Sequence, residues 1–149
     1  MHHLESKQII PATLQKAWDF FSDPANLSLI TPPCMGFRII RQSRGKAYPG
    51  MIIVYRVKPL LGIPLTWVTE ITHVDENRYF VDEQRSGPYR IWHHQHHFRE
   101  VSKGIEIFDE VDYALRFGFF GRLMNLLIIR RKLGSVFRYR EQRIKQIFG

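Results

Sequence analysis

Residues 88–115 read PYRIWHHQHHFREVSKGIEIFDEVDYAL, and this stretch decides the fold. In its second half Ile105, Ile107, Val111, Tyr113 and Leu115 hold the odd positions, while Glu106, Glu110 and Asp112 hold even ones. A period of two is that of a strand with one buried and one wet face. Asp109 falls on the buried face. In the first half Trp92, His94, His96 and Phe98 share the even positions, which sends His93 and His97 outward. A two-residue turn at Ser102-Lys103 or at Lys103-Gly104 joins the halves. Either turn sets even positions of one strand beside odd positions of the other. Asp109 then stands opposite His96 or one diagonal away, and an inward His-Asp pair is predicted.

Upstream, the strand pattern continues. Ser43-Arg44-Gly45, Pro49-Gly50, residues 59–64, Asp75-Glu76-Asn77 and Ser86-Gly87-Pro88 punctuate strands over about 36–41, 50–58, 65–74 and 78–85. With the hairpin at 88–101 and 104–115, that makes six sequential strands with short connections, which implies antiparallel pairing. A four-residue turn over 75–78 puts Trp67, Thr69 and Ile71 on the face of Phe80, Asp82 and Gln84. Before them, a first strand ends near Ile9 and Ile10. Leu14, Ala17, Trp18 and Phe21 then follow at helical spacing, and Asp23-Pro24 caps a second short helix to about Ile30. Downstream, Leu126, Ile129, Leu133, Val136, Phe137, Ile144 and Ile147 form one stripe. The spacing predicts a helix from Phe119 nearly to the end, roughly 40 Å long and lying on the sheet. Gly134 interrupts that stripe, as a tolerated weakness or a point of close approach.

Composition agrees with one domain over 1–149. The chain has 44% hydrophobic and 24% charged residues, the balance of a globular protein with a real core. Cys34 is the single cysteine, so there is no internal disulfide; it reads as a buried or semi-buried inert thiol in a reducing cytoplasm. No apolar run reaches the ~18–20 residues of a membrane span. The formal charge is 22 − 14 = +8. The last stretch carries Arg122, Arg130, Arg131, Lys132, Arg138, Arg140, Arg143 and Lys145 against Glu141 alone. Such a helix suits an acidic partner or peripheral contact with an anionic membrane, or is simply a solvated face. No helix-turn-helix, zinc-finger or stacking signature accompanies it, which argues against nucleic acid.

Pro11 with Trp18-Asp19-Phe20-Phe21-Ser22-Asp23-Pro24 and Ile30-Thr31-Pro32-Pro33 resembles the opening of the START/polyketide-cyclase (SRPBCC) superfamily. Phe80, Asp82, Gln84, Gly87-Pro88-Tyr89, Trp92, His94, His96, Phe98, Gly104, Asp109, Val111 and Tyr113 resemble the central hairpins of a bacterial subgroup. A departure is Arg116, where such sequences often carry Pro. The resemblance implies an α+β helix-grip fold: a curved seven-stranded antiparallel sheet wrapped around a long C-terminal helix, with two short helices after the first strand. It also implies an apolar cavity between sheet and helix. Lipid carriers, quinone-binding proteins and cyclases all share this fold.

By parity and the helical stripe, the expected ligand-binding residues are Trp67, Asp82, Gln84, Trp92, His94, His96, Phe98, Asp109, Val111 and Tyr113 from the sheet, with Leu133, Gly134 and Phe137 from the helix. The leading expectation is binding of a small apolar molecule, lipid, quinone or polyketide-like, with no cofactor. A rival is a cyclase, dehydratase or hydrolase using His96, Asp109, His94 or Asp82 as acid and base. Another is an interaction module built on the basic helix. His94, His96 and Asp109 resemble a two-His-one-carboxylate set, but spacing fixes no further ligand, so no metal is expected.

Overall fold

The computed structural model describes residues 1–59 and 62–149; the turn expected over 59–64 lies partly outside them. Seven strands form one antiparallel sheet: β1 (His2–Ile10), β2 (Arg38–Gln42), β3 (Ile52–Val57), β4 (Leu65–Asp75), β5 (Tyr79–Ser86), β6 (Ile91–Val101) and β7 (Gly104–Ala114). Their spatial order is β1-β7-β6-β5-β4-β3-β2. From β2 to β7 every sheet neighbour is a chain neighbour, as short turns require. Between β1 and β2 lie α1 (Leu14–Phe21) and two 3₁₀ turns, Pro24–Ile30 and Pro33–Met35. After β7 come α2 (Gly118–Met124), a π turn (Asn125–Ile129) and α3 (Arg130–Phe148), together a helical run of 31 residues.

Local chemistry sets these boundaries. Thr13 caps α1, its Oγ1 accepting from Lys16 N at 3.3 Å, and Asp23 caps the next turn by accepting from Ala25 N at 3.0 Å. The second expected helix winds as 3₁₀, a form used in short pieces, and stops where Thr31 must stay extended before Pro32. The β6–β7 turn is Ser102-Lys103, with Val101 paired to Gly104 and His96 directly opposite Asp109. Gly104 has φ +137°, and a Cβ there would collide with the Ile10 carbonyl, so only glycine fits.

The β4–β5 turn has three residues, Glu76, Asn77 and Arg78, with Asn77 left-handed at φ 63°. A bulge between Ile71 and His73 then restores the expected alignment, pairing Ile71 with Asp82 and Thr69 with Gln84.

The inner face of the sheet carries two apolar clusters. One joins Ile10, Trp18, Phe21, Phe80, Phe98, Ile105, Ile107 and Ile144. The other joins Val57, Trp67, Tyr89, Val111, Tyr113 and Leu133, with Trp92 and Phe137 against it. Phe98, expected among the ligand-binding residues with Leu133 and Phe137, belongs instead with Trp18 and Phe21, as does Ile107. Trp18 meets Phe80 and Phe98 edge-on at 5.9 and 5.5 Å.

The single apolar stripe along the last helix is corrected. Leu133 and Ile144 are buried, but Leu126 is 69% exposed and Ile147 is exposed as well. The π turn shifts the helical phase, and Asn125, not Leu126, points at the sheet, where Tyr113 donates its hydroxyl hydrogen to Asn125 Oδ1 at 2.6 Å. Cys34 is also corrected: it is exposed, in the turn Pro33–Met35.

Candidate functional site

A cavity of about 180 Å³ lies between the sheet and α3. Tyr55, Trp67, Phe80, Trp92 and Phe137 give it aromatic walls, and Leu133 and Val136 close it from the helix. Its polar wall is Asp82, His94, His96 and Arg140.

The strands bring this wall together. His94 and His96 share the inner face of β6, Asp82 on β5 pairs across from His94, and Asp109 on β7 pairs across from His96. Both oxygens of Asp82 and Asp109 accept only, so the hydrogens lie on the imidazoles. His96 Nε2 donates to Asp82 Oδ2 at 2.6 Å, and His94 Nε2 donates to Asp109 Oδ1 at 3.1 Å. Asp109 Oδ1 also stands 2.9 Å from His96 Nδ1, off the N–H axis, an electrostatic contact more than a hydrogen bond. Asp82 Oδ2 lies 3.7 Å from His94 Nδ1. The two imidazole centres are 3.7 Å apart. Arg140 reaches in from α3, 3.5 Å from Asp109 Oδ1, with its guanidinium over the Phe21 ring.

The charges of this group balance. Burial opposes ionisation of Asp109, yet Arg140 first and the two imidazoles after it hold its carboxyl well below the usual range. Asp82 is likewise lowered against burial, by His94 and then His96. Burial opposes a proton on His96, but Asp109 and Asp82 outweigh it and raise that imidazole. His94 is lowered, by burial and then by the neighbouring His96. Two carboxylates thus face Arg140 and an imidazole whose protonation they favour, opposite charges that offset one another in a low-dielectric site.

Of the expected ligand residues, Trp67, Asp82, Trp92, His94, His96, Leu133 and Phe137 line the cavity. Asp109 sits behind the two histidines, and Phe98, Val111 and Tyr113 are packed in the core. Gln84 is used locally: its side chain accepts from Tyr89 N at 3.0 Å and donates to Tyr89 O at 2.7 Å, closing the turn before β6. Gly134 does not line the cavity; a side chain there would meet only Arg138 of its own helix. Asp82 is the third potential metal ligand that spacing did not supply: one donor atom each of Asp82, His94 and His96 lies within 4.8 Å of the others. Arg140 and Ser22 are cavity residues absent from the sequence expectation. For Arg140 the signal was present, since it follows Leu133 and Phe137 on the same helical face.

Residues 10–133 match the family described as polyketide cyclase/dehydrase and lipid transport. The chain belongs to that family. No curated protein matches its sequence. A crystal structure of a protein from Thermus thermophilus is similar at 16% identity and TM-score 0.68, covering 99% of this chain and 100% of the other. A START superfamily protein from Mycobacterium smegmatis is similar at 11% identity and TM-score 0.70, covering 99% and 97%. A protein from Chromobacterium violaceum is similar at 11% identity and TM-score 0.72, covering 99% and 98%. The shared architecture is a START-like helix-grip fold. Among the described residues, no helix is long and apolar enough to cross a membrane.

Proposed function

We propose that this family member binds a small molecule with an aromatic or aliphatic body and an oxygen acceptor at one end, held under α3. The observation that carries this reading is a set of buried polar atoms. Ser22 Oγ, Trp67 Nε1 and Arg140 Nε belong to cavity-lining residues and have no hydrogen-bond partner among the described residues. A buried donor left unpaired costs about 1–3 kcal/mol. A carbonyl or carboxylate oxygen would satisfy such donors, while the aromatic walls take the apolar body. Arg140 Nε is the charged donor of this set.

The test is calorimetric titration with 2-naphthoate, compared with 2-naphthylamine, which keeps the body and replaces the acceptor. Naphthoate is expected to bind tighter by about 10–100-fold, the worth of a hydrogen bond to a charged group. Arg140→Met should remove that preference, and Val136→Trp should fill the cavity and abolish binding of both. Wild-type binding by a folded Val136→Trp protein would overturn the reading.

A further inference from the structure

We propose that Asp82, His94 and His96 form a binding site for a first-row divalent transition cation such as zinc, set in the cavity wall. The far nitrogens support this assignment. His94 Nε2 and His96 Nδ1 stand 3.1 and 2.9 Å from the same oxygen, Asp109 Oδ1, while His94 Nδ1 and His96 Nε2 are turned to Asp82. Histidine ligands are commonly oriented through their second nitrogen by a carboxylate; here Asp109 accepts from His94 Nε2 and makes a charge contact with His96 Nδ1. Donors around a tetrahedral cation with bonds of ~2.0–2.1 Å stand roughly 3.3 Å apart. The present separations from Asp82 Oδ2, 2.6 and 3.7 Å, bracket that distance. Bound there, the cation would take the place of the proton between His96 and Asp82. Arg140 compensates Asp109, which leaves the charge of Asp82 for the metal. Two imidazoles and one carboxylate favour zinc or iron over magnesium or calcium, and three protein ligands leave positions free on the cavity side.

This site shares the cavity of the proposed ligand but does not depend on it. The full chain is stripped with a chelator and titrated with Zn²⁺ and with Co²⁺, whose visible bands report nitrogen and oxygen ligation. A His3→Gln background removes the exposed group of His3, Glu5 and Glu110, whose donor atoms also cluster. One equivalent is expected to bind, with binding lost in Asp82→Asn and in His94→Gln, and affinity about 10–100-fold weaker in Asp109→Asn. Circular dichroism confirms that each variant is folded. Zinc binding by Asp82→Asn as tight as that of the His3→Gln protein, or no binding in the His3→Gln protein itself, would overturn the proposal. Naphthoate binding that persists when zinc binding is lost separates this site from the ligand reading.

A different observation carries a second inference. In residues 117–128 the large apolar side chains face out: Phe117 is 84%, Phe120 71% and Leu126 69% exposed, and Phe119, Leu123, Met124, Leu127 and Ile128 are exposed with them. The segment is fixed in this orientation. Buried Asn125 is held by Tyr113 and His2, and a Cβ on Gly121 would collide with the Arg116 carbonyl. Exposed Arg116, Arg122, Arg130 and Arg131 flank the apolar side chains, and no Asp or Glu occurs over 113–140. The structure assigns this face to an anionic membrane surface, where apolar side chains enter the headgroup boundary and arginines meet phosphate.

Flotation of the full chain with phosphatidylcholine vesicles, with and without phosphatidylglycerol, tests it. Binding is expected only to the anionic vesicles. It should fall roughly a hundredfold when Arg122, Arg130 and Arg131 are changed together to Gln. It should also be lost in Phe119→Ser with Phe120→Ser and Leu126→Ser. Binding to neither vesicle, retention by the serine variant, or a wild-type dimer that this variant converts to monomer would overturn the assignment.

Discussion

Replacing Asp109 by Asn keeps the shape of the side chain and removes one charge from the balanced cluster. In the metal-free protein, Arg140 and the His96 imidazolium are then left facing Asp82 alone. Removing one partner from a buried ion pair costs about 3–5 kcal/mol. Asp109 is buried and touches three cationic or imidazole groups at 2.9, 3.1 and 3.5 Å, so the full range applies. For a chain of this length that is a fall in Tm of about 6–20 °C. The loss depends on pH. His96 is raised above 6.5 in the fold, so its contribution is complete below 6.5 and is lost as pH rises through its folded value. Asp109 is held well below 3.8; its own contribution is present above 3.8 and constant over the range tested. Asparagine takes away the first of the contacts that raise His96, and burial then lowers that imidazole. The penalty should therefore be greatest near about pH 5.5 and shrink toward about pH 9. Thermal unfolding with chelator across that range measures it. A loss under about 1 kcal/mol, or one equal at both ends, would refute the charge balance.

Trp18→Ala removes a buried indole that meets Phe80 and Phe98, and should cost about 3–5 kcal/mol by urea denaturation. Tyr113→Phe leaves Asn125 Oδ1 buried without its hydroxyl donor; a loss of about 1–3 kcal/mol is expected, with faster hydrogen exchange over 118–129. Gly134→Leu should leave naphthoate binding unchanged, because this position does not line the cavity, and should raise helix stability by up to about 1 kcal/mol in thermal unfolding.

Strand parity was legible because it depends only on period two. The hairpin of β6 and β7 shows its limit: two turns were compatible with the sequence, and both put His96 and Asp109 on one face. The close approach of the Ile10 carbonyl to Gly104, a contact distant in sequence, has no signal in the hairpin itself. Between β4 and β5 a shorter turn and a bulge offset each other, so the inward face came out as expected from a different local geometry. The sharing of Asp109 by two imidazoles, and of Asp82 by the same two, required distances across three strands. Parity names the face but not the partner.

The last helix shows where periodicity misleads. Over 123–129 the sequence is Leu-Met-Asn-Leu-Leu-Ile-Ile, apolar on every side except at Asn125. A stripe drawn through such a run takes whichever phase continues the helix beyond it, which selects Leu126. The structure selects a phase one residue earlier, in which the buried Tyr113 hydroxyl donates to Asn125 Oδ1. One hydrogen bond therefore turns the amide inward, and the π turn absorbs the change of phase before Leu133 reaches the cavity. The cost is that Leu126, Leu127 and Ile128 face solvent, next to Phe119 and Phe120. So much exposed apolar surface, rimmed by arginines, is not a packing remainder but the mark of a surface that meets something else. The same residue that satisfies the sheet thus creates the face assigned to the membrane.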